Sequence, residues 1–165
     1  MKFTAKEEFG LRCMVQMVKL SEGGAVNIVE IAEREALTNA YVAKLMGALR
    51  NGGLVVSLRG HQGGYRLARP PENIYLNEVF DALGDRLVGP SFCQRFTGQA
   101  DCCVHTSDCA IRGLLSGMDQ VIYGFLSRCT LADIVEKSDT VERWVAAAGG
   151  GNGARGESLV QFVQS

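Results

Sequence analysis

Several features that assign sequences to common classes are missing from these 165 residues. No apolar run reaches the length of a membrane-spanning helix. The N-terminal residues Met-Lys-Phe-Thr-Ala-Lys-Glu-Glu contain no apolar segment of the kind found in secretory signals. We therefore expect a cytoplasmic protein without a membrane partner. Because structural disulfides are rare in a reducing compartment, the six cysteines need another explanation.

Histidine is scarce, and this argues against an enzyme. The two histidines are His61, which falls in a predicted β-hairpin, and His105, which falls in a predicted loop with no evident orienting acid at hydrogen-bonding spacing. No familiar nucleophile motif is present. The glycine-rich stretch 60–64 is followed by a predicted strand, whereas a phosphate-binding loop is followed by a helix. We therefore expect a binding or regulatory protein and not an enzyme.

Carboxylates are absent between Ala36 and Pro71, where five basic residues occur. Residues 1–70 hold ten Lys/Arg and six Asp/Glu, a balance of +4, whereas residues 71–165 hold seven and twelve, a balance of −5. The composition is otherwise that of an ordinary globular protein, with 47% hydrophobic residues. A basic N-terminal half predicts a polyanion as partner, and a solvated basic face is the alternative.

The first predicted helix covers residues 5–20. Thr4 and Glu7 form the Ser/Thr-x-x-Glu pattern of a capping box, in which each side chain hydrogen-bonds to the backbone N–H of the other residue. This assignment gives Glu7 a structural role and leaves Glu8 without one. Cys13 falls among the apolar residues of this helix, so we expect it in the core.

A helix-turn-helix is predicted next. Residues 27–36 favour a short second helix, and Thr38 is the expected N-cap of a third helix that ends near Arg50. Two short helices with a tight turn and a basic second helix are typical of DNA-binding proteins, although a generic three-helix core has the same apolar stripes. The second helix of such a motif enters the major groove. The candidate contacts with DNA are Thr38, Asn39, Tyr41 and Lys44.

A basic β-hairpin comes directly after this motif and argues against a generic core. Residues 54–58 and 65–67 favour strands, and the glycine-rich turn 59–64 joins them. A hairpin in this place makes a winged helix, whose glycines let the backbone approach a phosphate or the minor groove. The candidate contacts at the tip of the wing are Arg59, Gly60, His61 and Gln62.

Four of the six cysteines lie in one polar segment, residues 93–109. They are Cys93, Cys102, Cys103 and Cys109. An iron–sulfur cluster suits thiolates at loose spacing with a fourth ligand that is not cysteine. Zinc bound by Cys102, Cys103, His105 and Cys109 is an alternative that lacks the usual C-x2-C pairs, and thiol redox chemistry is a third.

Cys109 has a further advantage as a ligand. The preceding Thr-Ser-Asp, residues 106–108, is typical of a helix N-cap, so Cys109 is expected in the first turn of the next helix. The positive end of a helix favours the thiolate, which is the form that binds metal. Cys102 and Cys103 are adjacent, and neighbouring residues rarely both point at one site, so one of them is expected to be a bystander.

A long helix is predicted from about Ser107 to Arg128. Its apolar residues recur alternately every three and four positions, close to the period of a coiled coil. A helix of about twenty residues, roughly 30 Å long, is too long for this small domain to cover by itself. We expect it to pack against the same helix of a second subunit in a homodimer. The alternative is that it packs on the first helix of its own chain. The predicted interface residues are Leu114, Met118, Val121, Ile122 and Phe125.

The predicted fold is mainly α-helical with a small β-hairpin, made of a winged helix-turn-helix domain and a long C-terminal dimerisation helix. A further short helix with Asn77 as its N-cap is expected at the end of the first domain. The predicted segments are a DNA-binding domain (1–83), a cysteine-bearing loop (84–110), the dimerisation helix with a short terminal helix (107–147) and a flexible glycine-rich tail (148–165).

The sequence resembles the bacterial winged-helix regulators that include IscR and NsrR, the iron–sulfur-cluster and nitric-oxide-sensing regulators. The resemblance covers about residues 1–137. It depends on M-K-F-T-x-K at the start, A-Y-V-A-K-L in the third helix, and L-R-N-G-G-L-V-x-S-x-R-G-x-x-G-G-Y-R-L through the wing. Three cysteines ahead of the long helix and T-L-A-D-I-V after it extend the match.

This resemblance implies a cytoplasmic, nucleoid-associated homodimer that binds a pseudo-palindromic operator. It also implies a cluster, 2Fe–2S or 4Fe–4S, that responds to redox state, nitric oxide or iron supply. The implied ligands are Cys93, Cys103 and Cys109, with Cys103 favoured over Cys102 by its spacing from Cys109. Some members use a histidine soon after the last cysteine, where this chain has Ala-Ile-Arg. Others use an acid of the first helix, which is Glu8 here, and His105 is the remaining alternative.

Overall fold

The computed structural model describes residues 4–21, 24–59, 63–84, 105 and 109–136. The helices are α1 (Ala5–Ser21), α2 (Ile28–Glu35), α3 (Asn39–Asn51), α4 (Leu76–Leu83), α5 (Ala110–Leu126) and α6 (Leu131–Val135). Two strands, β1 (Val55–Leu58) and β2 (Gly64–Leu67), form one antiparallel hairpin, and a 3-10 turn spans Pro71–Asn73. The predicted fold class, mainly α with a small hairpin, is confirmed.

The caps of the first and third helices are those that the sequence predicts. At α1, the backbone N–H of Thr4 donates to Glu7 Oε2 at 2.6 Å, and the N–H of Glu7 donates to Thr4 Oγ1 at 3.2 Å. At α3, the N–H of Tyr41 donates to the hydroxyl of Thr38 at 3.3 Å. Each cap supplies a side-chain acceptor to a backbone N–H at the start of the helix.

Two predicted helix starts are wrong by one or more residues. The cap of α4 is Tyr75, not Asn77, because Glu78 accepts the N–H of Tyr75 at 3.0 Å and so satisfies the first turn. Asn77 lies inside the helix, where its amide donates to the hydroxyl of Tyr123 at 3.0 Å. Helix α5 begins at Ala110, and Cys109 is its N-cap, not a residue of its first turn.

The first three helices and α4 enclose one hydrophobic core. Its largest fully buried side chains within these helices are Met14, Met17, Ile31, Leu45, Met46, Leu49 and Leu83. Gly10 lies at the contact between α1 and α4, since a Cβ there would clash with the side chain of Leu83. Cys13 is fully buried in this core, as the sequence predicts.

The wing is attached to the helical core by a third extended segment. Val55 pairs with Leu67 at the base of the hairpin. Val26, just before α2, forms a bridge with Tyr65: its N–H donates to the Tyr65 carbonyl at 2.7 Å, and the Tyr65 N–H donates back at 2.9 Å. A Cβ at residue 64 would lie 2.5 Å from the Val26 carbonyl oxygen, so glycine at this position permits the pairing.

After α5 the chain returns to the core of the N-terminal unit. The N–H of Leu76 donates to the carbonyl of Cys129 at 2.9 Å, and the N–H of Leu131 donates to the carbonyl of Ile74 at 2.8 Å. Leu131 of α6 is completely buried in the same core as α1 and α3. The sequence pattern assigns the short terminal helix to the dimerisation segment, whereas its side chains pack into the winged unit.

Burial makes two thiols weak acids. It raises the pKa of Cys13 to about 12, with a further contribution from the nearby Glu35 carboxylate, and raises the pKa of Cys129 to about 11. Unfolded cysteines ionise near pH 8.5. Below about pH 8.5 both thiols are protonated in the folded and the unfolded protein, so their full contribution to the free energy of unfolding is present. As the pH rises from there towards the folded pKa values, the unfolded thiols ionise first and the free energy of unfolding falls.

We expect the free energy of unfolding to fall above about pH 9, by up to about 1.4 kcal/mol per pH unit for each thiol. Urea unfolding at pH 8, 9 and 10 measures this dependence. The Cys13→Ala variant is the control, because it keeps every other titrating group and removes one buried thiol. Equal pH slopes in the two proteins would show that burial does not perturb Cys13.

No helix in the described ranges is both long and apolar enough to cross a bilayer.

Candidate nucleic-acid interface and metal centre

The start of α3 presents polar side chains away from the core. Thr38, Asn39 and Lys44 are exposed, whereas Val42 and Leu45 of the same helix are buried. Lys44 forms no ion pair among the described residues. An exposed cation without a carboxylate partner is suited to bind phosphate, and short polar side chains at a helix start are suited to reach base edges.

Tyr41 differs from its neighbours because it packs against α1. Its ring meets Phe9 edge to face, with ring centroids 6.0 Å apart and an interplanar angle of 82°. This geometry is a favoured arrangement of two aromatic rings. The contact holds the side chain of a candidate DNA-binding residue against the helix that carries Glu8.

A polar network that sequence reasoning missed joins α1 to the end of α2. Glu35 is only 7% exposed and accepts hydrogen bonds at 2.5 Å from both Arg12 and Gln16. The Arg12 guanidinium also lies over the Phe9 ring, 5.4 Å from its centroid. One signal was available: Glu35 falls seven residues after Ile28, on the buried stripe of α2, where a carboxylate needs a partner.

Only part of the predicted wing contact is described. Arg59 is exposed at the end of β1, and Arg66 is exposed on β2. Gly60, His61 and Gln62 lie outside the described residues. Arg69 forms an ion pair with Glu78 at 2.8 Å, so its charge is already compensated. Arg59 and Arg66 are therefore the described wing cations that fit a DNA backbone.

Two of the four predicted cluster ligands lie within the described residues. Glu8 is exposed on the first turn of α1, and its carboxylate, unlike that of Glu7, makes no hydrogen bond or ion pair to any other described residue. Cys109 is half-buried at the start of α5. Cys93 and Cys103 lie outside the described part of the chain, as does Cys102. The described residues alone contain no group of three potential metal ligands.

The surroundings of Cys109 fit a metal-bound sulfur. The backbone N–H of Arg112 donates to Cys109 Sγ at 3.4 Å, and the 17-residue helix α5 directs its positive end at this position. Amide donors to sulfur are a common feature of iron–sulfur sites. The exposed residue His105 lies beside the same turn, because its carbonyl accepts a hydrogen bond from Arg112 Nη2 at 3.2 Å.

One face of α5 is apolar and exposed over about three turns, residues 111–121. Ile111 and Leu114 are 65% and 66% exposed, and Met118 and Val121 are both 43% exposed. The predicted interface residues Ile122 and Phe125 are half-buried. Contiguous apolar surface of this kind is typical of a protein–protein interface.

The other face of α5 is fixed to the N-terminal unit. Tyr123 donates its hydroxyl hydrogen to Asp81 Oδ2 at 3.0 Å and accepts the Asn77 amide at the same distance. These bonds join α5 to α4. The apolar face is therefore left unoccupied by the described part of this chain.

Comparison with known proteins agrees with this architecture. Residues 3–137 match the family model of Rrf2, described as an iron-dependent transcriptional regulator. The chain belongs to the Rrf2 family. Its Rrf2 relatives include the HTH-type transcriptional regulator IscR of Escherichia coli, which is 30% identical over 142 residues, covering 86% of this chain and 85% of IscR.

Solved structures of two regulators superpose on this Rrf2 protein. CymR, the global cysteine regulator of B. subtilis, has a TM-score of 0.65 and 26% identity, covering 84% of this chain and 99% of CymR. IscR of T. potens has a TM-score of 0.64 and 26% identity, covering 94% of both chains. The winged-helix fold is thereby confirmed.

Membership of the Rrf2 family makes this protein a DNA-binding transcriptional regulator and not an enzyme.

Proposed function

We propose that this Rrf2 protein is a homodimer whose binding to operator DNA is controlled by an iron–sulfur cluster that senses redox state, nitric oxide or iron supply. The observation that carries the proposal is the position of Cys109 as the N-cap of α5, where a backbone N–H already donates to its sulfur. Three further cysteines occur in the 16 preceding residues. The description of the family as iron-dependent supports the same function.

The DNA-binding part of the proposal assigns the major groove to Thr38, Asn39, Tyr41 and Lys44. It assigns the minor groove or phosphates to Arg59, Gly60, His61 and Gln62. The exposure of Asn39 and Lys44 on α3 supports the first assignment. The affinity for an operator must fall steeply as salt rises, because basic side chains displace counterions from phosphates.

The dimer is proposed to form through the exposed face of α5. Two copies of this face would bury Leu114, Met118 and Val121, with Ile122 and Phe125 at its edge. A dimer presents two winged helix-turn-helix domains at a fixed spacing, which matches a pseudo-palindromic operator.

The cluster would be held by Cys93, Cys103, Cys109 and Glu8, with Glu8 supplied by the second subunit. Bound in this way, a 2Fe–2S or 4Fe–4S group would supply one-electron redox chemistry and sensitivity to nitric oxide. A carboxylate is the weakest of these ligands for a soft iron–sulfur site. The exposure of Glu8 supports this role, because its carboxylate makes no hydrogen bond or ion pair with the described residues.

Movement of α1 has a direct route to the DNA-reading residues. Phe9, next to Glu8 in the chain, contacts Tyr41 of α3, and Arg12 one turn later binds Glu35 of α2. Release of Glu8 would free the start of α1 and, through these contacts, shift α2 and α3 of the helix-turn-helix. Half-site spacing would change with it.

Purification without oxygen tests the proposal. We expect stoichiometric iron and sulfide, a visible absorption spectrum, and a native mass equal to two chains plus the clusters. Operator affinity is expected to change when the cluster is removed. Protein with neither iron nor sulfide would contradict the proposal of an iron–sulfur cluster, while the proposal for DNA binding would still stand.

Replacing Glu8 with alanine tests the fourth ligand. We expect an altered visible spectrum and at least a tenfold smaller effect of the cluster on operator affinity, because the link between α1 and the sensor is lost. Glu33→Ala is the matched control, since Glu33 is an exposed carboxylate on α2. A Glu8→Ala protein with unchanged spectrum and unchanged cluster-dependent affinity would falsify this assignment.

A zinc- or thiol-based regulator with the same DNA-binding half is the second candidate. The similarity to CymR, named as a global cysteine regulator, favours it. Zinc in place of iron, or free thiols whose oxidation changes operator affinity, would support this function over the first.

A further inference from the structure

Arg112 contacts Cys109 through its backbone and His105 through its side chain. Its backbone N–H donates to Cys109 Sγ at 3.4 Å, and its guanidinium Nη2 donates to the carbonyl of His105 at 3.2 Å. The backbone of Arg112 therefore contacts the sulfur of Cys109, and its side chain contacts His105, four residues before that cysteine in the chain. Sequence reasoning treated this position only as a place where a histidine ligand is missing.

The position of Arg112 is electrostatically unfavourable as it stands. It lies in the first turn of α5, where the helix end is already positive, and that turn contains no acidic residue. The Nε atom of Arg112 is buried and has no hydrogen-bond partner among the described residues. A buried donor of this kind normally has an acceptor. Both features indicate that an anionic acceptor belongs beside Arg112.

A cluster bound by thiolates and a carboxylate is such an anion. We propose, on the basis of the function proposed above, that the Arg112 side chain is a positioning group that holds His105 beside Cys109 and donates its Nε–H to a sulfur of the bound cluster or of a ligating thiolate. Cluster potentials depend on net charge and on hydrogen bonds to sulfur. Because reduction adds one negative charge, a fixed cation at this place stabilises the reduced form and raises the reduction potential.

Reductive titration of the complete protein, loaded with its cluster and kept without oxygen, tests this inference. Dithionite supplies the electron, and the visible spectrum reports the midpoint potential. We expect Arg112→Gln to retain iron and sulfide and to lower the midpoint by about 59 mV, which is a tenfold change in the ratio of reduced to oxidised cluster. Arg112→Lys keeps the charge without the Nε donor, so its midpoint is expected between the two.

Arg34→Gln is the matched control, because it removes an exposed arginine at the end of α2, and its midpoint is expected to equal that of the natural protein. An Arg112→Gln midpoint equal to that of Arg34→Gln would overturn the inference and leave the proposed function standing. Absence of iron and sulfide in the natural protein would overturn both. If folded Arg112→Gln binds no cluster, the positioning role is supported, and the midpoint of Arg112→Lys then tests the Nε–H bond.

Discussion

Replacing Leu114 with aspartate is expected to convert the protein to a monomer and to lower its affinity for a two-half-site operator at least about 100-fold. Leu114 is 66% exposed in the single chain, so the substitution costs the monomer little. In a dimer built on α5, it would bury one carboxylate from each subunit in an apolar seam. A monomer has one DNA-binding domain, so it lacks the affinity that a dimer gains by binding both half-sites at once. Sedimentation velocity and operator titration measure the two effects.

Gln120→Asp is the matched control for this experiment. Gln120 is exposed on the same helix, between the apolar face and the face that carries Tyr123. It adds the same charge outside the proposed seam, and we expect it to remain dimeric and to bind the operator normally. A dimeric Leu114→Asp protein would show that the subunits associate through another surface.

Replacing Leu131 with alanine is expected to lower the free energy of unfolding by about 3 kcal/mol. Leu131 is fully buried and belongs to the core formed by α1, α3 and α4, although it follows α5 in the chain. Removing its side chain leaves a cavity in the winged unit, and a loss of this size is a large fraction of the stability of a typical domain. Urea unfolding followed by circular dichroism measures the change.

Val135→Ala provides the comparison within α6. Val135 is half-buried, so truncating its side chain is expected to cost less than about 1 kcal/mol. If Leu131→Ala and Val135→Ala destabilised the protein equally, α6 would not complete the core.

Local signals were enough to predict most of the elements. The capping box of Thr4 and Glu7 and the cap at Thr38 depend on residues three apart, and both are present. The starts of α4 and α5 were misplaced for a physical reason. A side chain at the third helical position can satisfy the first turn, as Glu78 does, and a cysteine sulfur can accept a cap hydrogen bond. Residue type at the cap alone does not reveal either.

Contacts between distant residues could not be predicted from the sequence. Tyr41 was correctly expected near the start of α3, yet its ring position depends on Phe9, which lies on another helix. The bond between Asn77 and Tyr123 joins residues 46 apart. The sequence identifies position 112 only as one without a histidine, because the hydrogen bonds of Arg112 to Cys109 and His105 depend on the folded turn. Local pattern identifies which residue types are available, and packing decides which of them meet.

Residues 129–131 hold two parts of the described chain together by noncovalent contacts. Hydrogen bonds between Leu76 and Cys129 and between Ile74 and Leu131 join the part before residue 84 to the part after residue 109. The buried Leu131 side chain reinforces this junction. A single proteolytic cut between α4 and α5 would therefore give two polypeptides that remain one particle until the core unfolds. Fragments expressed separately would be expected to reassemble by complementation, with the winged helix-turn-helix domain and the α5 face restored together.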